Sequence, residues 1–209
     1  MTKNELTRNQ LKICRKNQLK YKYVLTDSWF SSKENMIFIR QDLDKHFIMA
    51  IKSNRTVAVS EEDKSQGHFT RIDSLPWSSP EPVRGWLKGL DFPVLLHRQV
   101  FTNKDGSTGI LYLACSDFDC NISKIEAIYQ KRWKVEVFHK TLKSNTGLAK
   151  SPTKSIRTQS NHIFMSIYAA FQLECLKLKH KMNHFALRNR IYVTALQQAM
   201  CELHLLKSA

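Results

Sequence analysis

Five polar side chains recur at helical spacing near the middle of the chain: Tyr129, Arg132, Glu136, Lys140 and Lys143. On a wheel with about 100° per residue, all five fall within an arc of roughly 80°. A carboxylate among cations is held ionised, and it is a hard oxygen ligand of the kind that Mg²⁺ takes. The planar fork of Arg132 and the point charges of Lys140 and Lys143 suit phosphate oxygens. The stripe therefore predicts metal-assisted chemistry on a phosphate-bearing partner.

The flanks of this stripe are apolar. Ile128, Val135, Phe138 and Leu142 lie on one side, and Trp133 and Val137 lie on the other. Gln130, Lys134 and Thr141 are then predicted to face solvent. Apolar residues on both sides favour a stripe that lines a cleft. The alternative is an ordinary solvent-exposed helix with ion pairs four residues apart, such as Glu136 with Lys140, and the residues alone leave both interpretations open.

A second acidic residue, Asp27, stands at the end of a short apolar segment. Tyr23-Val24-Leu25 is an unbroken apolar run, which predicts a buried strand with Asp27 at its carboxyl end. Ser31 with Glu34 three residues later has the pattern of a capping box and predicts a helix to about residue 40.

The elements that must position these residues follow in a block of strands and then a block of helices. Branched and aromatic residues predict strands at 46–51, 56–59, 94–101 and 110–115, and Asp105-Gly106 predicts a hairpin between the last two. Ser123 with Glu126 predicts a helix to about residue 144, and apolar spacing predicts helices at about 158–179 and 185–206. The order predicts an α/β fold.

Composition restricts the class of partner. The chain has 209 residues, with 33 Lys and Arg against 18 Asp and Glu, which gives a formal net charge of +15. Such a charge attracts polyanions, so nucleic acid is the first partner to consider. The five scattered cysteines have none of the spacings of a zinc cage. Without a run of about 18 apolar residues, no membrane span is expected and a cytoplasmic chain is predicted.

Two segments carry a resemblance to a known family. The run from Tyr129 to Glu136, followed by Lys143, matches the pattern Y-x2-R-x3-E-x6-K. This pattern is the signature around the last acidic residue of a large group of bacterial insertion-sequence transposases with DDE chemistry. The segment from Val24 to Phe30 resembles the strand that carries their middle aspartate, and the likeness extends from about residue 6 to about residue 178.

The resemblance implies a fold. Members of this family have an RNase H-like core with a β-rich insertion between the middle aspartate and the final glutamate. Carried over, residues 1–44 would be a partial RNase H-like core, 45–118 the β-rich insertion, and 119–209 the helical C-terminal part of the core. The expected fold is therefore an incomplete RNase H-like α/β core with an insertion and C-terminal helices.

The resemblance also implies chemistry. The family's carboxylates hold two Mg²⁺ (or Mn²⁺) ions that activate a water or 3′-hydroxyl and stabilise the leaving oxygen. Asp27 and Glu136 would be metal ligands and catalytic residues. Tyr129, Arg132 and Lys143 would contact the DNA backbone. A DNA contact by Lys140 is predicted from the helical wheel alone and not from the family pattern. The implied partner is DNA, as transposon ends and target, and the intact enzyme is expected to act as a dimer on DNA at the bacterial nucleoid.

One departure from the family pattern limits this expectation. A first aspartate should precede Asp27, yet Glu5 is the only acid among residues 1–26. A truncated transposase, inactive alone and with an open sheet edge, is expected. The alternatives are a non-catalytic DNA-binding module and a decayed remnant. Asp117 follows the insertion, which is the wrong place for the missing first aspartate. Trp86 could stack on an extruded base or pack internally, and packing is the favoured interpretation.

Overall fold

The computed structural model describes residues 1–79, 81–152 and 154–207. The helices are α1 (Lys3–Lys16), α2 (Lys33–Ile37), α3 (Glu61–Gln66), α4 (Ile122–Gln130), α5 (Lys134–Asn145), α6 (Ile156–His180) and α7 (His184–Lys207). The strands are β1 (Tyr23–Thr26), β2 (His46–Ile51), β3 (Thr56–Ala58), β4 (Thr70–Arg71), β5 (Val83–Leu87), β6 (Val94–Thr102) and β7 (Thr108–Cys115). The α/β class predicted from the sequence is confirmed.

The chain divides into two compact units, Met1–Arg132 and Trp133–Ala209. The first unit contains a seven-stranded sheet with the order β1-β2-β7-β6-β5-β3-β4. Strands β1 and β2 are parallel, and the other neighbours are antiparallel. The sheet thus combines β1 with strands from the segment 45–118, and the division into 1–44, 45–118 and 119–209 stays a prediction.

Strand β2 lies inside the sheet and is covered on both faces. Met49 joins an apolar cluster with Met36 of α2, while its neighbour Ile48 joins a second cluster with Ile125 of α4. Adjacent side chains of a strand point to opposite faces, so a strand with two covered faces needs apolar residues throughout. This explains the unbroken apolar run from His46 to Ile51, whose bounds were predicted correctly.

Strand β1 was predicted to be buried, and that prediction was wrong. All four of its residues are only half-buried, because β1 is at one end of the sheet and pairs with β2 alone among the described strands. The predicted hairpin between β6 and β7 is confirmed, with Thr102 paired to Thr108 and Gly106 at a φ of +82°. Glycine adopts this left-handed conformation without a steric penalty.

The predicted capping box of α2 is displaced by one residue. The residue that caps the helix is Ser32, whose side-chain oxygen accepts a hydrogen bond from the Asn35 N–H at 3.2 Å. The hydroxyl of Ser31 instead donates to the Ser28 carbonyl at 3.0 Å. The helix continues as a π-helix over Phe38–Asp42.

The helix predicted from 123 to 144 is not continuous. Helix α4 is capped by Asn121 and not by Ser123, and a 3₁₀ segment, Lys131–Trp133, separates α4 from α5. A 3₁₀ segment turns by about 120° per residue, against about 100° in an α-helix. The single 80° arc through all five polar residues is therefore wrong, because it assumed uniform α-helical geometry.

The second unit consists of α5, α6 and α7. Helices α6 and α7 begin and end within two residues of their predicted bounds. On α5, the side chains of Lys134 and Thr141 line a groove of about 760 Å³ together with Phe138, Phe171 and Phe185. Gln130 and Lys134 are exposed as predicted, whereas Thr141 is half-buried because α6 and α7 lie on its side of α5. No helix among the described residues is long and apolar enough to cross a membrane.

Candidate functional site

Asp27 directly follows β1, at the carboxyl end of the strand. Its Oδ1 accepts a hydrogen bond from the Trp29 N–H at 2.9 Å, and its carbonyl accepts one from the Phe30 N–H at 3.3 Å. An Asp side chain bonded to the backbone two residues later forms an Asx turn, which fixes the direction of the carboxylate. No described residue donates a hydrogen bond to the other carboxylate oxygen.

Tyr129 connects α4 to the strand that carries Asp27. Its side chain is buried, and its hydroxyl donates to the carbonyl of Thr26 at 3.2 Å. Burial raises the pKa of Tyr129; the nearby charge of Asp27 raises it further, whereas Arg132 opposes the shift. The hydroxyl therefore remains a neutral donor at physiological pH.

Arg132 lies against the ring of Tyr129. Its guanidinium carbon lies 5.8 Å from the centre of the Tyr129 ring, within the range of a cation–π contact. The first two residues of the Y-x2-R-x3-E-x6-K pattern thus lie beside the Asp27 strand, in the same compact unit. Sequence spacing did not predict the contact between Tyr129 and Thr26, because the two residues are 103 apart in the chain.

The remaining predicted site residues belong to the second unit. Glu136, Lys140 and Lys143 are exposed on α5. At about 100° per residue, they occupy an arc of roughly 60° on the side of α5 opposite Lys134 and Thr141. These three residues therefore share a face within α5. The pairing of Asp27 with Glu136 stays a prediction, as do the DNA contacts of all four basic and aromatic residues.

The apolar flanks of the stripe differ from expectation. Trp133, Val135, Val137 and Phe138 are between 48% and 62% exposed. Val137 and Phe138 also line the groove beside α6 and α7. Leu142 is the buried flank on α5, and a cleft beside the stripe stays a prediction.

Asp117 has a structural role. Its side chain is 3% exposed and forms an ion pair with Lys22 Nζ at 2.9 Å. The Tyr23 hydroxyl and the Asp119 N–H also donate to it. Burial opposes its ionisation, but these donors prevail and hold the pKa of Asp117 far below its ordinary value. Asp117 thereby attaches the end of β7 to the start of β1.

Trp86 is an internal packing residue. It is 5% exposed in β5, where it pairs across to Ala58 of β3. A buried indole cannot stack on an extruded base without a rearrangement of the sheet. The packing interpretation of Trp86 is confirmed.

A pocket that the sequence did not predict adjoins the Asp27 turn. It has a volume of about 470 Å³, and its lining includes Ser28, Trp29, Lys52, Asn54, Arg55 and Lys88. Two of its three cations, Lys52 and Arg55, come from the turn after β2, and the third, Lys88, follows β5. We call it the Arg55 pocket.

The described residues contain no group of three or more His, Cys, Asp and Glu side chains that could hold a metal ion. Asp27 and Glu136 are nevertheless of the right chemical type, since Mg²⁺ prefers carboxylate oxygens. The donor type fits a divalent metal, while two carboxylates make an incomplete set.

Residues 2–171 match the family of the transposase DDE domain, and the chain belongs to that family. The substrate of this family is DNA, and its members generally use a divalent metal. No curated protein matches the chain.

Proposed function

We propose that the protein acts in DNA transposition, with Asp27 and Glu136 as two of the carboxylates that hold Mg²⁺ or Mn²⁺ for phosphodiester cleavage and joining, which need the complete set of carboxylates. The observation that carries the proposal is the hydrogen bond from the Tyr129 hydroxyl to Thr26. It anchors the signature segment to the strand that ends in Asp27. Glu136 follows Arg132 by four residues, so the chain allows at most about 14 Å between their Cα atoms.

Each side chain has a distinct role in this proposal. The bound metals would supply an activated oxygen nucleophile and stabilise the leaving oxygen. Arg132 would hold a phosphate through its planar fork, and Lys140 and Lys143 would attract the DNA backbone as exposed point charges. Tyr129 would orient Arg132 and contact the backbone near the transposon end.

The fold assignment is part of the proposal. The parallel pair of β1 and β2, with Asp27 after β1 and α4 packed on β2, supports an RNase H-like core. In this assignment the antiparallel strands after β2 belong to the insertion predicted for 45–118. The free edge of β1 would be the position for a further core strand.

The proposal is tested by placing a reactive metal in the site. Fe²⁺ substituted for Mg²⁺ reduces added hydrogen peroxide to hydroxide and a hydroxyl radical, ascorbate restores the Fe²⁺, and the radicals cut the polypeptide backbone close to the metal. We expect cuts near both residue 27 and residue 136, which excess Mg²⁺ suppresses. Asp27→Asn and Glu136→Gln should each reduce both sets of cuts, because both residues hold the same metals.

The matched control is Glu62→Gln, which removes an exposed helical carboxylate from α3. It should leave the cuts unchanged. Cuts near only one of the two acids, or cuts that neither Asp27→Asn nor Glu136→Gln reduces, would contradict a shared metal site.

A second candidate is a non-catalytic DNA-binding module, which the net charge of +15 favours. Binding to DNA phosphates needs cations and no metal. This candidate predicts DNA binding that is the same in Mg²⁺ and in EDTA and is unchanged by Glu136→Gln. The Fe²⁺ experiment separates the two candidates, since a module without a metal site gives no localised cuts.

A further inference from the structure

We propose that the Arg55 pocket binds one unpaired nucleotide of a DNA strand, with its phosphate among Arg55, Lys52 and Lys88 and its base against Trp29. The inference rests on the proposed function, because it assigns a substrate subsite beside Asp27. The nucleotide would enter next to the turn that holds this carboxylate.

The charge of the lining selects an anion. The lining residues include three cations and no carboxylate. Glu34 is the acid whose charge acts on Arg55, and it lies outside the lining. Cations gathered in a concave site without compensating acids raise the local concentration of phosphate groups.

Arg55 provides the most specific signal. Its side chain is half-buried, and its Nε is buried without a hydrogen-bond partner among the described residues. Burial lowers the pKa of the guanidinium. A buried donor without an acceptor is costly, and a phosphate oxygen would satisfy it.

Backbone hydrogen bonds hold the two segments that carry the three cations. The Arg55 N–H donates to the Lys52 carbonyl at 3.0 Å within the turn after β2. The Lys88 N–H donates to the Thr56 carbonyl, also at 3.0 Å, which joins the end of β5 to the start of β3. The pocket is therefore organised before any ligand binds, which lowers the entropic cost of binding.

Trp29 provides a surface for a base. Its side chain is 73% exposed, and the ammonium groups of Lys3 and Lys52 lie 5.6 Å and 5.8 Å from its ring centre. Bases stack on exposed aromatic rings in single-stranded DNA sites. A duplex keeps its bases stacked inside, so the ring selects an unpaired nucleotide. The volume of about 470 Å³ lies within the usual range of small-molecule sites.

The test uses the full 209-residue chain in EDTA and a four-nucleotide thymidine strand with a 5′-phosphate and a 3′ fluorophore. Fluorescence anisotropy reports binding. We expect Arg55→Gln to weaken binding about 10- to 100-fold, because a charge-assisted contact is lost. Trp29→Ala should weaken it about 5- to 100-fold, while Trp29→Phe keeps most of the affinity.

Lys88→Gln provides a second variant, because Lys88 is exposed and its substitution should leave the fold intact. It should also lower the slope of the logarithm of affinity against the logarithm of salt concentration by about one, as expected for the loss of one phosphate contact. The matched control is Lys104→Gln in the β6–β7 turn, which removes the same charge at a residue outside the lining. It should leave the affinity unchanged.

Two results would overturn the inference: unchanged affinity in both Arg55→Gln and Lys88→Gln, or equal affinity for the same four nucleotides paired within a hairpin duplex. The experiments distinguish a failure of this inference from a failure of the proposed function. Strand binding in EDTA measures the subsite alone, so Arg55-dependent binding without localised Fe²⁺ cuts would refute the metal site alone. Localised cuts with no Arg55-dependent binding would refute the subsite alone.

Discussion

Replacing Asp117 with Asn should loosen the attachment of β1, the strand that ends in Asp27. The carboxylate of Asp117 is 3% exposed and accepts from Lys22, from the Tyr23 hydroxyl and from the Asp119 N–H. Asparagine keeps the shape and one acceptor oxygen but loses the charge. Hydrogen bonds to a charged group contribute about 1.5–3 kcal/mol, so we expect the free energy of unfolding to fall by about that amount.

The pH dependence of this loss has a definite sign. The pKa of Asp117 is lowered in the folded chain, below about 4 for an unfolded Asp. Its stabilising contribution is therefore complete above the unfolded value and is lost as the pH falls towards the folded value. The difference between the native chain and Asp117→Asn should be constant from about pH 8 to pH 5, and it should narrow below about pH 4.

Urea denaturation followed by circular dichroism at several pH values measures this difference. The control is Asp119→Asn, a substitution at an exposed neighbour that should change stability by less than about 0.5 kcal/mol. Equal losses in the two variants, or a difference that stays the same down to pH 3.5, would refute the assignment of Asp117 as a charged attachment point.

Two further predictions concern the candidate site. Tyr129→Phe should lower the free energy of unfolding by about 0.5–1.5 kcal/mol, because the bond to the Thr26 carbonyl is lost; a urea titration that shows no change would mean that the bond does not form in solution. The 209-residue chain should bind terminal-repeat DNA with a steep salt dependence and yet cleave it negligibly in Mg²⁺, because two carboxylates leave each metal short of ligands. Mg²⁺-dependent nicking that disappears in Glu136→Gln would contradict this second prediction.

The sequence alone determined those elements that a pattern of a few neighbouring residues marks. The apolar run from His46 to Ile51 and the Asp105-Gly106 turn placed β2 and the β6–β7 hairpin correctly. The Y-x2-R-x3-E-x6-K pattern also led to the family that residues 2–171 match. These signals are short-range, because side-chain alternation and turn conformation depend on neighbouring residues.

The break between α4 and α5 was missed for a local reason. Lys131–Trp133 contains neither glycine nor proline, so nothing in its composition marks the change to 3₁₀ geometry. Likewise, Ser31 and Ser32 are both suitable caps. Only the bond from the Ser31 hydroxyl to the Ser28 carbonyl excludes Ser31 from this role.

Tertiary structure alone decided which residues meet. It placed β1 at the end of the sheet, turned Lys134 and Thr141 towards α6 and α7, and brought Arg55 and Lys88 into one pocket. Each result depends on pairing between segments that are distant in the chain. A sequence pattern predicts which faces of an element are apolar. It does not predict which element covers each face, or which cations come together when distant strands pair.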